Sequence, residues 1–374
     1  MMPSIVNLTV LLSNIVLSMA GINTMADSTP TSSDEATAKV ALHNHTFHSD
    51  GSEGVKDLIR HAARDQVTYL AVTDHDSSQV WRKRFERLSR LSPSVTLTRL
   101  QPFPGGYLFY PEERPGLLMR MYFGIEFTVV VTNHPEESVH ILGLGIDPPS
   151  PDHQIQLNRI AQARFERVKA VTEEINRRDD GIYRRIQLTW DGPGITVRSV
   201  IGPSMYPTRM HIAATMDQLG ILHELGYEGP REVVDDPNFW RELPTDFDAG
   251  IYPTTSDLIA RIHTEMKGVA VLAHPDKWKN RKSFLAQLVD EGLDGYEVYG
   301  RGAYRSSGHH LSEREFERAL LDEREAFKIP LVTGGRDHHG KYTPLRVHRA
   351  GFGVDVPKKE MNALDSGIAS YKLS

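Results

Sequence analysis

Seven short apolar runs punctuate this chain, and six of them carry or end in a histidine or a carboxylate. Val40-Ala41-Leu42 leads into His43, His45 and Asp50, and Tyr69–Val72 ends in Thr73-Asp74-His75-Asp76. Met121 to Val131 contains Glu126, and Val139–Gly143 contains His140. Val269–Ala273 ends in His274, and Leu331–Thr333 leads to Asp337 and His339. Gly295–Tyr299 is the exception; its Glu297 reads as structural. Runs of this length read as strands, and side chains two apart on a strand share a face, so His43 and His45 can converge on one point. Between the runs, apolar residues recur at helical spacing, as in Val55, Leu58, Ile59 and Ala62. In barrels built from such βα units the strand C-termini open onto one face, where the polar groups would meet.

The chemistry available is bounded by composition. The chain has no cysteine, which excludes disulfides, thiolate metal sites and a thiol nucleophile. Its 17 histidines leave imidazole and carboxylate as the means of holding a metal. That mixture suits Zn, Mn or Fe, and six histidines with three carboxylates exceed the needs of one ion, so two or three divalent ions are expected. A net charge of −6 excludes a globally basic nucleic-acid binder, but not a local basic pocket. No P-loop, dinucleotide fingerprint or serine-nucleophile elbow is present.

The strand rhythm is interrupted twice. Ser77 to Arg120 holds a charged helix, Val80 to Leu91, and the loop Pro102-Phe103-Pro104-Gly105-Gly106-Tyr107, which reads as a lid or a surface insertion. Residues 152–250 read as a mostly helical insertion between barrel parts at 38–151 and 251–354. Its long helix carries Arg159, Arg164 and Arg167 on one face, and a second helix is entered through Pro207-Thr208-Arg209 and contains His211. The tail, 355–374, carries no recognisable chemistry. Residues 1–37 combine a signal-like apolar stretch with a polar leader. The stretch lacks basic residues ahead of it, which favours a cytoplasmic protein over export and gives no membrane span.

The ordered motifs H-x-H-x-x-x-x-D-G, T-D-H-D, G-I-E, V-H-I-L-G, A-H-P and G-x-D-x-H-G resemble the PHP (polymerase and histidinol phosphatase) superfamily over most of Val40 to Gly340. The resemblance implies an α/β fold, a distorted (β/α)7 barrel, with a trinuclear metal site that hydrolyses phosphate esters through a metal-bridging hydroxide. It assigns His43, His45, Glu126 and Asp337 to one ion, Glu126, His140 and His274 to a second, and Asp50, His75 and His339 to a third. Asp337, His339 and His75 are then the catalytic candidates.

The block before A-H-P is similar to one branch, the nucleoside 3′,5′-bisphosphate phosphatases and 5′-to-3′ exoribonucleases. By that likeness Arg164, Arg167, Arg209 and His211 would grip substrate phosphates. The branch's usual serine is replaced by Arg336, which places a cation beside the metals or against a phosphate. The implied partner is a phosphorylated small molecule, nucleotide or short oligonucleotide, with no obligate protein partner. Histidinol phosphate or another small phosphomonoester on the same site, and a noncatalytic metal-binding module, are the alternatives.

Overall fold

Val40, Leu70, Val72, Val271 and Val298 are fully buried, so the short apolar runs behave as strands covered on both faces. The computed structural model describes residues 36–83, 98–204, 206–244, 249–275, 281–300, 304–306, 309–342 and 351–374. The strands are β1 (Thr37–Ala41), β2 (Tyr69–Val72), β3 (Thr98–Phe103), β4 (Gly106–Tyr110), β5 (Met119–Val131) and β6 (His134–Leu144). They continue with β7 (Val269–Leu272), β8 (Gly295–Tyr299), β9 (Tyr304–Ser306), β10 (His309–Leu311), β11 (Leu331–Gly334) and β12 (Val354–Pro357). The main sheet runs β11-β8-β7-β6-β5-β2-β1-β12. The Leu42 amide donates to the Gly334 carbonyl at 3.2 Å, which brings β1 against β11 and nearly closes the sheet into a barrel.

The distortion of that barrel lies in β5 and β6. Strands β1, β2 and β5 pair in parallel, as do β7, β8 and β11. Strand β6 runs antiparallel to both its neighbours, β5 and β7. Sequence reading places every candidate side chain in or at the end of a strand feeding one edge. His140 reaches that edge differently, because β5 runs on past Glu126, turns at Thr132-Asn133, and returns along β6 with His140 opposite Thr128.

The helical block is organised by the helix Pro151–Arg177, capped by the Ser150 side chain, which accepts from the His153 amide. Its first turns pack Leu157 into the barrel core, while Val168, Val171 and Ile175 join a separate core with Ile212, Met216, Phe239 and Trp240. One helix thus carries residues of both cores, and the stretch between them presents Arg164 and Arg167.

The Pro102–Tyr107 loop is the turn of a β3–β4 hairpin, and β4 pairs with Met119 to Tyr122 at the start of β5. The C-terminal tail is a strand and a helix, Lys358–Leu373. Met361, Leu364 and Ile368 of that helix are fully buried against Leu142, Val271 and Val356. Each such side chain is worth about 1.5–3 kcal/mol of burial, so the helix is integral to the barrel. The helix beginning at Val80 is described over Gln79–Lys83; its expected continuation to Leu91 and the leader up to Glu35 lie outside the described residues. Among the described residues no helix is long and apolar enough to cross a membrane.

Candidate metal centre

The loop after β1 is held in shape by one buried carboxylate. Asp74 accepts from the Thr46 amide, the Thr46 hydroxyl and the Ser49 hydroxyl, each at 2.7 Å. Asn44 donates its side-chain amide to the Ala41 and Ala71 carbonyls, tying the loop to β1 and β2. Gly51 is required because a Cβ there would lie 2.3 Å from the His45 carbonyl oxygen. The second loop, after β11, joins the first through the His45 amide, which donates to the His338 carbonyl at 2.8 Å. Its Asp337 and the His274 after β7 both adopt positive φ, at 54° and 30°. Non-glycine residues rarely do so, and such strain concentrates where a side chain must be aimed.

All nine sequence candidates meet at this edge. His43 Nε2 and His45 Nε2 each lie 3.1 Å from Glu126 Oε2, and 3.4 and 3.2 Å from Asp337 Oδ1. Two ligands about 2.1 Å from one ion stand roughly 3.0–3.4 Å apart in octahedral or tetrahedral geometry, so these spacings fit a single cation. His140 Nδ1 and His274 Nε2 lie 2.7 and 2.8 Å from Glu126 Oε1, and 3.0 Å from each other. Glu126 therefore presents one oxygen to each group, as a bridging carboxylate must. Asp50 lies 3.2 Å from His339 Nε2 and 3.7 Å from His75 Nε2. His75 also turns Nδ1 to Glu126 Oε2 at 3.1 Å, so it stands between two of the groups.

The donor set fits metals for a further reason. His43 Nε2, His45 Nε2, His75 Nδ1, Asp50 Oδ1 and Glu126 Oε2 are buried and have no hydrogen-bond partner. Leaving several such atoms unsatisfied is costly, and cations at the spacings above would satisfy them. The electrostatics agree. Burial alone would lower His43, yet Glu126, Glu297 and Asp337 hold it up at about 9. Burial would raise Glu126, but His75, His43 and His140 hold it well below the usual carboxylate range. The centre demands positive charge, which protons supply when a metal does not.

A cavity of about 360 Å³ is lined both by residues of this cluster and by Arg164, Arg167, Arg209 and Arg231. Arg231 was not singled out in the sequence, where Pro230–Asp235 offers only a short polar helix. Its Nε bonds Asp235 at 3.0 Å, which fixes the side chain over the cavity. Tyr206, also missed, lines the same cavity. Glu297, expected to be structural, lies 3.1 Å from His43 Nδ1 and accepts from the His274 amide at 2.7 Å.

Two expected phosphate contacts lie elsewhere. His211 is the third residue of its helix; its Nδ1 accepts from the Thr208 amide at 3.0 Å, and it does not line the cavity. Arg336 lies in a separate pocket beside Glu313 and Glu317, with its Nη1 3.8 Å from Glu313 Oε1.

No protein-family model matches the chain. It is 24% identical over 302 residues to a Salmonella typhimurium protein named 5′-3′ exoribonuclease Rnm, covering 80% of each chain. It is 25% identical over 307 residues to a Chromobacterium violaceum 3′,5′-nucleoside bisphosphate phosphatase, covering 81% of this chain and 87% of that one. A crystal structure described as a putative metal-dependent phosphoesterase from Bifidobacterium adolescentis superposes with a TM-score of 0.57 at 22% identity, over 83% of this chain and 91% of that one. Motif order, barrel and relatives converge, and together they support a PHP-type phosphoesterase.

Proposed function

We propose that this chain hydrolyses phosphate esters that carry a second phosphate, of the nucleoside 3′,5′-bisphosphate or short 5′-phosphorylated oligonucleotide class. The observation that carries the reading is one cavity lined both by the histidine–carboxylate cluster and by four arginines. One phosphoryl group meets the cluster, while the planar forks of Arg164, Arg167, Arg209 and Arg231 match the oxygens of the other. Both relatives named above act, by their names, on nucleotides or RNA.

Two or three divalent ions of Mn, Zn or Fe would be held by His43, His45, Glu126 and Asp337, by Glu126, His140 and His274, and by Asp50, His75 and His339. When bound, such ions acidify water and neutralise charge developing on phosphoryl oxygens. In the overall reaction water adds to phosphorus, the ester P–O bond breaks, and the alcohol leaves with a proton. Asp337 would accept the proton from the attacking water. His75 and His339, which line the same cavity, would serve the leaving oxygen.

The test compares adenosine 3′,5′-bisphosphate, a short 5′-phosphorylated oligonucleotide and histidinol phosphate as substrates of chelator-treated enzyme reloaded with Mn or Zn. Preference for the first two supports the proposal. Turnover of histidinol phosphate at least as fast would remove the nucleotide reading.

A further inference from the structure

Arg164 is the least conventional of the four cavity arginines. It reaches the cavity from the long helix, its Nε is buried without a hydrogen-bond partner, and among the described residues no carboxylate lies within ion-pair distance of it. A buried cation costs several kcal/mol unless something compensates. Asp76 and Asp50 do so in part through their charges, from beyond ion-pair distance, and the direct contacts are aromatic. The Arg164 guanidinium carbon sits 4.0 Å from the Tyr206 ring centroid and 5.6 Å from that of Tyr252. Tyr206 is itself buried: it is 2% exposed, and its hydroxyl is 2.7 Å from Thr128 Oγ1. The same ring stacks on His75, with centroids 4.8 Å apart and planes at 23°.

We propose that Tyr206 is a positioning residue that holds Arg164 ready for the non-reacting phosphate and ties that contact to His75. Stacking on an aromatic face leaves the hydrogen-bonding edge of a guanidinium available, whereas a carboxylate partner would occupy it. Thr128, to which the tyrosine is bonded, lies two residues from Glu126 on β5, so Tyr206 is anchored to the strand that supplies the shared carboxylate. A second phosphate that orders Arg164 therefore also steadies the His75 ring, and recognition of the distant phosphate is linked to geometry at the reacting one.

The inference rests on the two-phosphate reading, and the experiment separates the two. Inorganic phosphate is titrated into metal-depleted wild-type protein, Tyr206→Leu, Tyr206→Phe and Arg164→Lys. Loss of the stack in Tyr206→Leu, or of the planar fork in Arg164→Lys, is expected to weaken phosphate binding about fivefold to tenfold. Tyr206→Phe, which keeps the ring, recovers most of that loss. With metal restored, Tyr206→Leu is expected to lower the ratio of kcat/KM on adenosine 3′,5′-bisphosphate to that on adenosine 5′-monophosphate, by raising KM for the bisphosphate. A merely structural tyrosine would lower both substrates equally and leave the ratio unchanged. If Tyr206→Leu does not fold, Arg164→Lys carries the binding comparison, and full phosphate affinity in that variant overturns the proposal. Equal affinity in wild type and Tyr206→Leu, or no phosphate binding by wild type, also overturns it. Should wild type hydrolyse neither ester, the two-phosphate reading fails while the titration still decides the role of Tyr206.

Discussion

Glu297 stands 3.1 Å from His43 Nδ1 while His43 Nε2 faces Glu126 Oε2 at 3.1 Å, so one imidazole is gripped between two buried carboxylates. The outer carboxylate fixes the tautomer and makes the inner nitrogen more basic. Glu297→Gln is expected to weaken metal binding about tenfold to a hundredfold while leaving the fold intact, as measured by competition with a chelator. Unchanged affinity would show that Glu297 serves only the His274 amide.

That relationship marks the limit of what the sequence discloses. His43, His45, His75, His274, Asp337 and His339 are legible because each follows an apolar run, and a barrel gathers strand ends. His140 was found for the right reason, its place in a strand, although its strand runs backwards; hydrophobic pattern is blind to strand direction. Glu297 and Asp74 were not legible as partners, since a carboxylate one layer out differs from any other only by what it touches. Arg336 and His211 carried the right chemistry, but their direction depends on side-chain placement that spacing does not give. Tyr206 and the Lys358–Leu373 helix were invisible because their roles arise from packing against distant segments.

Asp50 is grouped with His75, His339 and His45, and is absent from the His43–His45–Glu126–Asp337 set. Asp50→Ala should therefore lower the metal content by one ion per chain, with the remaining ions retained. Elemental analysis of the purified variant checks this, and complete loss of metal would refute the division.

Arg231 bears on substrate affinity. Replacing a charge-assisted contact to phosphate costs about 1.5–3 kcal/mol, so Arg231→Ala should raise KM for a bisphosphate about tenfold or more. Arg336→Ser, in its separate pocket, should leave KM as it was. Steady-state kinetics on the two variants distinguishes the cavities.

His153, 1% exposed near the barrel core, lies edge-on to Phe127 with ring centroids 5.5 Å apart. Burial, with a contribution from Arg261, pushes it down to about 4. The unfolded chain takes up this proton near 6.5 and the folded chain only near 4, so stability is lost as pH falls through that window. The loss attributable to His153 is about 2–3 kcal/mol. His153→Phe should remove that part of the slope, measured as the difference in denaturant unfolding between pH 4 and 7.

Turnover should need the metals that this cluster is built to hold. Metal content and hydrolysis of adenosine 3′,5′-bisphosphate should be measured on the same samples, before chelation, after it, and after Mn is returned. Two or three ions per chain, no turnover by the stripped protein and recovery on reloading are the predicted results. Full turnover by protein verified to be free of metal would contradict the account.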